Sequence, residues 1–209
     1  MASMIVSPSE FKPSKHIIYT KAKVNSKGGK SIGILNSETK RSLKLSTPLM
    51  LNYGAQRWDN EDGSYKLTMA LQFPREEFSN EDTTQLLNTM KEFEAQVKAD
   101  AVKNSKEWFG KVKSKEVIDE LWNPVLKYRK NTEGEPDYTS SPTLQLKMPV
   151  WDGEYNFELF DPDNQLLLPN SSGATPEQLV EKGSNIAGTI QCGGIWFANG
   201  NFGVTWKLN

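Results

Sequence analysis

Residues 43–73 read LKLSTPLMLNYGAQRWDNEDGSYKLTMALQF, and their alternation decides the fold. Leu43, Leu45, Leu49, Leu51 and Tyr53 share one parity. Beyond the turn at 59–63 (DNEDG), Tyr65, Leu67, Met69, Leu71 and Phe73 share another. A period of two marks a strand with one buried face. Pro48 has no N–H for a ladder bond, so a bulge or an edge position is expected there.

Upstream, Pro8 and Pro13 give residues 1–15 the character of an extended arm. HIIYTKAKV (16–24) alternates, with Ile18, Thr20, Ala22 and Val24 on the expected core side. NSKGGK (25–30) is a turn and SIGIL (31–35) a short strand. Downstream the period changes at Ser79, which with Asp82 approximates a capping box. Leu86, Met90, Phe93, Val97, Ala101 and Trp108 recur at helical spacing, and Gly110 stands where a helix C-cap belongs. Ser114 caps a second helix that Pro124 ends. The reading is a helical hairpin over about 80–130 lying against the sheet, followed by a loop at 131–142.

Strands resume at 143–151 and 156–160, and a short helix follows Thr175. The closing SNIAGTIQCGGIWFANGNFGVTWKLN (184–209) turns at Asn199-Gly200, a strong two-residue hairpin signal. Ile186, Ile190, Cys192 and Trp196 fall to one side, and Phe202, Val204, Trp206 and Leu208 alternate on the return strand. Strands, helix, then strands is the chain order of a mainly β (α+β) domain. It fits an OB-fold-like five-stranded barrel with an inserted helical hairpin, as a single domain over 16–209.

Composition narrows the chemistry. The one cysteine, Cys192, excludes an intramolecular disulfide and fits a reducing, intracellular setting. The N-terminus has no basic cluster followed by an apolar run, so no secretory leader is expected. No stretch approaches 18 apolar residues, so no membrane span is expected. His16 is the only histidine, too little for a zinc site or a histidine-based triad. GKSIG (29–33) fails as a phosphate loop because position 24 is Val, not Gly. DPDNQ (161–165) lacks the glycine and glutamate of a calcium loop. A non-enzymatic protein without cofactor or metal is the expectation.

The charge is unevenly spread. Residues 1–58 hold ten Lys+Arg against Glu10 and Glu38, a balance of +8, which leaves −9 for the remainder of a chain with net charge −1. A basic segment suits a polyanion. Single-stranded nucleic acid needs cations for phosphates and flat aromatic faces for bases. Tyr19, Lys21 and Lys23 share the outward parity of the first strand. Tyr53, Arg57 and Trp58 cluster at the end of a later one, and Lys44 and Lys66 take the non-core parity. The terminal hairpin adds Trp196, Phe197, Phe202, Trp206 and Lys207, although tryptophan on an inward parity is more often core.

The segment 45–74 and the closing GGIWFANGNFGVTWKLN resemble a protein family of large nucleocytoplasmic DNA viruses. The shared features are a TP-x-M-L strand, a Tyr-Gly pair, an LQFP strand end and a final G-V-x-W-K-L. That family is distantly similar to the OB-fold single-stranded-DNA-binding proteins of short-tailed phages, which end their barrel as Gly203, Val204, Trp206 and Leu208 do here. The resemblance covers 16–75 and 143–209, and the helical region only by position, since those phage proteins carry a helix between the third and fourth barrel strands. It implies sequence-independent binding of single-stranded DNA in replication, recombination or repair, in the host nucleus or a cytoplasmic viral factory. Replication proteins are further candidate partners, and a homo-oligomer is compatible. The phage proteins finish in an acidic tail with a terminal aromatic. This chain stops at Lys207-Leu208-Asn209, so tail-based recruitment is not carried over. The alternative is a virion structural or scaffolding protein.

Overall fold

The arm and the first alternating segment fold differently from their pattern in the computed structural model, which describes residues 5–26, 28–170 and 172–209. The first four residues of the expected arm, and Lys27 in the turn at 25–30, lie outside the described residues. The remainder of the arm is packed down. Val6 bridges Leu45, Phe11 is fully buried, and a one-turn helix α1 (Pro13–His16) follows. The expected strand at 16–24 is two short ones, β1 (Ile17–Tyr19) and β2 (Lys23–Val24). Their partners are likewise split, as β3 (Lys30–Ile32) and β4 (Ile34–Asn36). The breaks coincide. Thr20 N–H donates to the Gly33 carbonyl and its hydroxyl accepts from the Gly33 N–H, and a Cβ on Gly33 would stand 3.0 Å from the Thr20 side chain. The expected core face dissolves with the break: Val24 is 68% exposed.

The long strand β5 (Lys44–Asp59) and its partner β6 (Tyr65–Gln72) follow the opening motif. β5 carries two bulges. The first brackets Pro48, where the register runs from Thr47 to Met50 opposite Gly188 and Ile186. The second runs from Asn52 to Ala55 opposite Leu71 and Met69. Each bulge flips the side chains that follow it. Between the bulges Met50 and Asn52 point inward while Leu49 and Leu51 are exposed, the reverse of the simple alternation. Buried Asn52 is fully partnered. Its Nδ2 donates to the Ser184 carbonyl at 2.8 Å and its Oδ1 accepts from Gly54 N–H at 2.6 Å. Gly54 has φ +81°, so the bulge depends on a glycine after Tyr53.

Helix α2 (Glu81–Lys103) is capped by Asn80 and Thr83 reciprocally, one residue later than the sequence suggested. It lays Leu86, Met90, Phe93 and Val97 on the sheet, where Phe93 meets Trp206 edge-on at 5.2 Å. α3 (Ser105–Phe109) ends at left-handed Gly110, and α4 (Lys115–Leu121) is capped by Ser114. The helical region stops at Leu121, short of 130. Residues 122–127 are extended instead, as β7 (Trp122–Asn123) and β8 (Leu126–Lys127). They are held by Glu94 of α2, whose carboxylate accepts from the backbone N–H groups of Val125 and Leu126.

β9 (Thr143–Met148) ends at Pro149, and two small hairpins follow: β10 (Val150–Trp151) with β11 (Glu154–Tyr155), then β12 (Leu159–Phe160) with β13 (Leu166–Leu168). Helix α5 (Pro176–Leu179) precedes the closing hairpin of β14 (Asn185–Ala198) and β15 (Asn201–Leu208), which turns at Asn199-Gly200 as expected.

Five strands form a closed hydrogen-bonded ring. β5 pairs with β6, β6 with β9, β9 with β15, β15 with β14, and β14 with β5. Every pair is antiparallel except β9–β15. Inside lie Leu45, Leu67, Met69, Leu71, Leu144, Leu146, Ile190 and Trp206, all nearly inaccessible to solvent. β2 and β3 extend the sheet beyond β14. The long helix lies between the second and third ring strands in chain order, one ring strand earlier than the resemblance implies. The overall class is mixed α+β, rich in strands.

Candidate nucleic-acid interface

Directly paired residues on neighbouring strands point to the same side. One outward row can therefore be followed around the ring: Lys44, Gln191, Lys207, Lys147, Thr68, Gln56. One step along β5 and β6 from Gln56 and Thr68, Trp58 stands opposite Lys66. Gln145 and Thr205 are further outward positions of β9 and β15. No residue of this set carries a carboxylate. A shallow hollow in the face is lined by Lys66, Thr68, Lys127, Gln145, Lys147, Trp196 and Thr205. Strands lie about 4.8 Å apart; Lys147 and Lys207 are directly paired on β9 and β15, and Lys66 is two residues along β6 from Thr68, the partner of Lys147. Lys127 joins from β8, where its ammonium donates to Asn123 Oδ1 at 2.6 Å. Partial burial pushes the Lys127 pKa down, and Glu94 partly offsets this.

Trp58 is 57% exposed, and its indole N–H donates to the Thr68 hydroxyl at 3.2 Å. Two bulges upstream cancel, so its outward placement matches the simple alternation. Arg57, expected beside it, faces the other way. It pairs with Asp59 at 2.8 Å and lies 4.0 Å from the Tyr65 ring centroid. Tyr53 is half-buried and donates to Gln72 Oε1 at 2.8 Å, near the opposite end of β6. Lys66 is exposed on the face, and Lys44 is half-buried two strands beyond Lys207.

Trp196 reaches the outer surface through a feature the alternation concealed. The register between β14 and β15 slips between Cys192 and Ile195, at Gly193-Gly194. Ile195 takes the inward position and Trp196 the outward one, where it is half-buried. Trp206 and Phe202, offered by the sequence as platforms, are 1% and 0% exposed and belong to the core. Phe202 packs edge-on against Phe109 and Trp122.

Tyr19 is not an open aromatic face. Its ring meets Trp108 edge-on at 4.9 Å and its hydroxyl donates to Asp100 at 2.9 Å. Burial, and then the Asp100 carboxylate, push its pKa well above the usual phenol value. Lys21 is exposed beside Asp100 and Glu107, away from the ring face. Lys23 is exposed on β2.

The outward row circles the ring: Lys66 and Trp196 of the sequence candidates line the hollow with Lys127 and Lys147, Trp58 stands opposite Lys66, and Lys44, at the other end of β5, is not part of the hollow. Lys207, also a sequence candidate, stands beside Lys147 on β15, whereas Lys147 and Lys127 were not among the candidates. Lys147 was readable, because Gln145 and Lys147 alternate with Leu144 and Leu146.

The described residues hold no group of three His, Cys, Asp or Glu side chains placed to bind a metal. None of their helices is long and apolar enough to cross a membrane. Cys192 is buried, which pushes its thiol up to about 12 and leaves little thiolate for chemistry at neutral pH. Compared with known proteins, the chain matches no family model and no curated relative.

Proposed function

We propose that this protein binds single-stranded nucleic acid, DNA in the first instance, on the outer face of the ring, without sequence preference and without catalysis. The observation that carries the reading is the carboxylate-free face on which Trp58 opposes Lys66 and the lysines of β9 and β15 continue the row. Lysine ammonium groups meet phosphates as point charges, and an exposed indole stacks on any base. Neither reads base edges, so little sequence preference follows. A duplex keeps its bases stacked and offers nothing to Trp58.

We read the ring as an OB-fold-like barrel. The outward row leaves β5 at Lys44 and returns to it at Gln56, twelve residues further on, two of them bulge residues. A five-stranded closed sheet with tilted strands requires such a stagger. In that reading β6 and β9 are the second and third barrel strands, 60–64 is the loop between the first two, and Asn199-Gly200 joins the last two. Oligonucleotide-binding members of that fold use the face of strands two and three together with those two loops; Trp58, Lys66, Lys147 and Trp196 lie on or beside that face, whereas the 60–64 loop here carries Glu61 and Asp62 and is not counted in the carboxylate-free set. The resemblance to single-stranded-DNA-binding proteins of large DNA viruses supports the same reading and extends it to protecting exposed strands during replication, recombination or repair.

Charge reversal tests it. Lys66→Glu with Lys147→Glu should weaken binding to an oligo-dT by at least about tenfold, by analogy with the loss of two phosphate contacts, while the melting temperature stays near that of the unaltered protein. Normal affinity in the double variant would remove the face from consideration. Ordered self-assembly in place of any DNA binding would favour the virion structural role.

A further inference from the structure

We propose that the bound strand does not end at the ring but continues over Trp196 onto the β2–β3 ribbon, with Lys23 as a distal phosphate contact. This rests on the reading above and lengthens its site. A second outward row carries the inference. Lys23 pairs with Ser31, Ser31 with Trp196, Trp196 with Gly203, and Gly203 with Asn123. The row therefore crosses β2, β3, β14, β15 and β7 on one side of the sheet. It also contains no carboxylate.

The indole in its centre is seated by glycines. A Cβ on Gly203 would stand 2.8 Å from Trp196 Cζ2 and 3.0 Å from the Asn123 carbonyl, so only the bare backbone leaves room for the ring to lie over β15. The bulge that turns Trp196 outward needs Gly194 at φ +84°, where a Cβ would come within 2.5 Å of the Ile32 carbonyl. The same bulge thus brings β14 against the ribbon and presents its tryptophan on the ribbon's outer side.

The ribbon is anchored rather than loose. Lys30, on its inner side, donates to the Trp108 carbonyl at 2.7 Å and lies 5.3 Å from the Phe197 ring centroid. Lys23 is exposed on the opposite side. From β14 to β2 is two strand spacings, roughly 10 Å of added surface. Lys23 stands two strands from Trp196, with Ser31 between them, whereas Lys66 is directly opposite Trp58; an aromatic face with a lysine beyond it still suits the same ligand chemistry, a base and then a phosphate further along the strand.

The test is the length dependence of affinity for oligo-dT from about 4 to 16 nucleotides, the span occupied by single OB folds. It is measured on the unaltered protein and on Lys23→Glu, Trp196→Ala and Trp58→Ala, with melting temperatures alongside. The deficits of Lys23→Glu and Trp196→Ala should grow with length and reach about 5-fold or more on the longest oligomer, as expected for one lost stacking contact. Trp58→Ala should be weak at every length. If Trp196→Ala folds poorly, Trp196→Phe should restore long-oligomer affinity and Lys23→Glu carries the comparison alone. If Lys23→Glu and Trp196→Ala track the unaltered protein at all lengths while Trp58→Ala is impaired, the strand ends at the ring and this proposal falls. If Trp58→Ala also binds normally, the reading on which it rests falls with it.

Discussion

Trp58 and Lys66 face each other across β5 and β6 on the outer side of the ring, and the Trp58 indole N–H is fixed by the Thr68 hydroxyl at 3.2 Å. An aromatic face held beside an ammonium, with water on its other side, is the unit that a single strand needs. Trp206 is its opposite, a fully buried indole against Phe93. Trp58→Ala should weaken oligo-dT binding by about 5-fold or more and leave the melting temperature nearly unchanged. Trp206→Ala should cost about 3–5 kcal/mol of stability, the usual loss for a buried tryptophan. Denaturant titration and a binding isotherm on each variant separate the two roles. A Trp58 variant that melts far lower yet binds normally would make Trp58 structural.

The strand pairing, the long helix with its Gly110 stop, and the closing turn at Asn199-Gly200 were legible because each rests on a local period or a turn residue. Parity was less legible. A bulge is a one-residue event with a strand-long consequence. Pro48 announced the first bulge, but Gly54 and Gly193-Gly194 read as ordinary strand glycines. Hence Leu49 and Leu51 were assigned inward and Trp196 to the core side. Trp58 came out right because two bulges cancel. Charge was misleading in a different way. The +8 of residues 1–58 suggested an N-terminal site, yet Lys66, Lys127, Lys147 and Lys207 all come from the acidic remainder. Net charge along the chain ignores which parity carries the carboxylates, and here, apart from Asp59 and Glu154, the helices and loops carry them.

Tyr19 is a packing residue in this structure, with its hydroxyl on Asp100. Tyr19→Phe removes one hydrogen bond to a carboxylate that still accepts from Gln96 Nε2 at 2.9 Å. Stability should fall by about 1.5–3 kcal/mol, the range for bonds to charged groups, and oligo-dT affinity should not change. Weaker binding at unchanged stability would return Tyr19 to the site.

Glu94 links α2 to the segment that brings Lys127 to the interface. Burial holds its carboxyl above the usual carboxylate range, against the opposing effect of the Val125 and Leu126 N–H groups. A raised folded-state pKa means that the group favours folding below its unfolded value and that this contribution is lost as pH rises through the folded value. Glu94→Gln keeps an acceptor for both N–H groups and carries no charge. Its melting temperature relative to the unaltered protein should therefore rise from acid toward neutral pH. Glu94→Ala leaves those N–H groups without their acceptor and should cost about 1–3 kcal/mol. Melting curves at several pH values check both, and a Gln variant whose relative stability falls with pH would contradict the assignment.

The most direct measurement is a tryptophan-fluorescence titration of the unaltered protein with poly-dT at about 50 and about 200 mM salt, with duplex DNA as competitor. If Lys66, Lys127, Lys147 and Lys207 each meet one phosphate, the logarithm of the affinity should fall by about 0.7 per contact for each tenfold rise in salt. Between the two conditions that is a loss of about 50-fold, and duplex should compete poorly. Affinity that is flat across the two salts, or equal for duplex and single strand, would contradict the account.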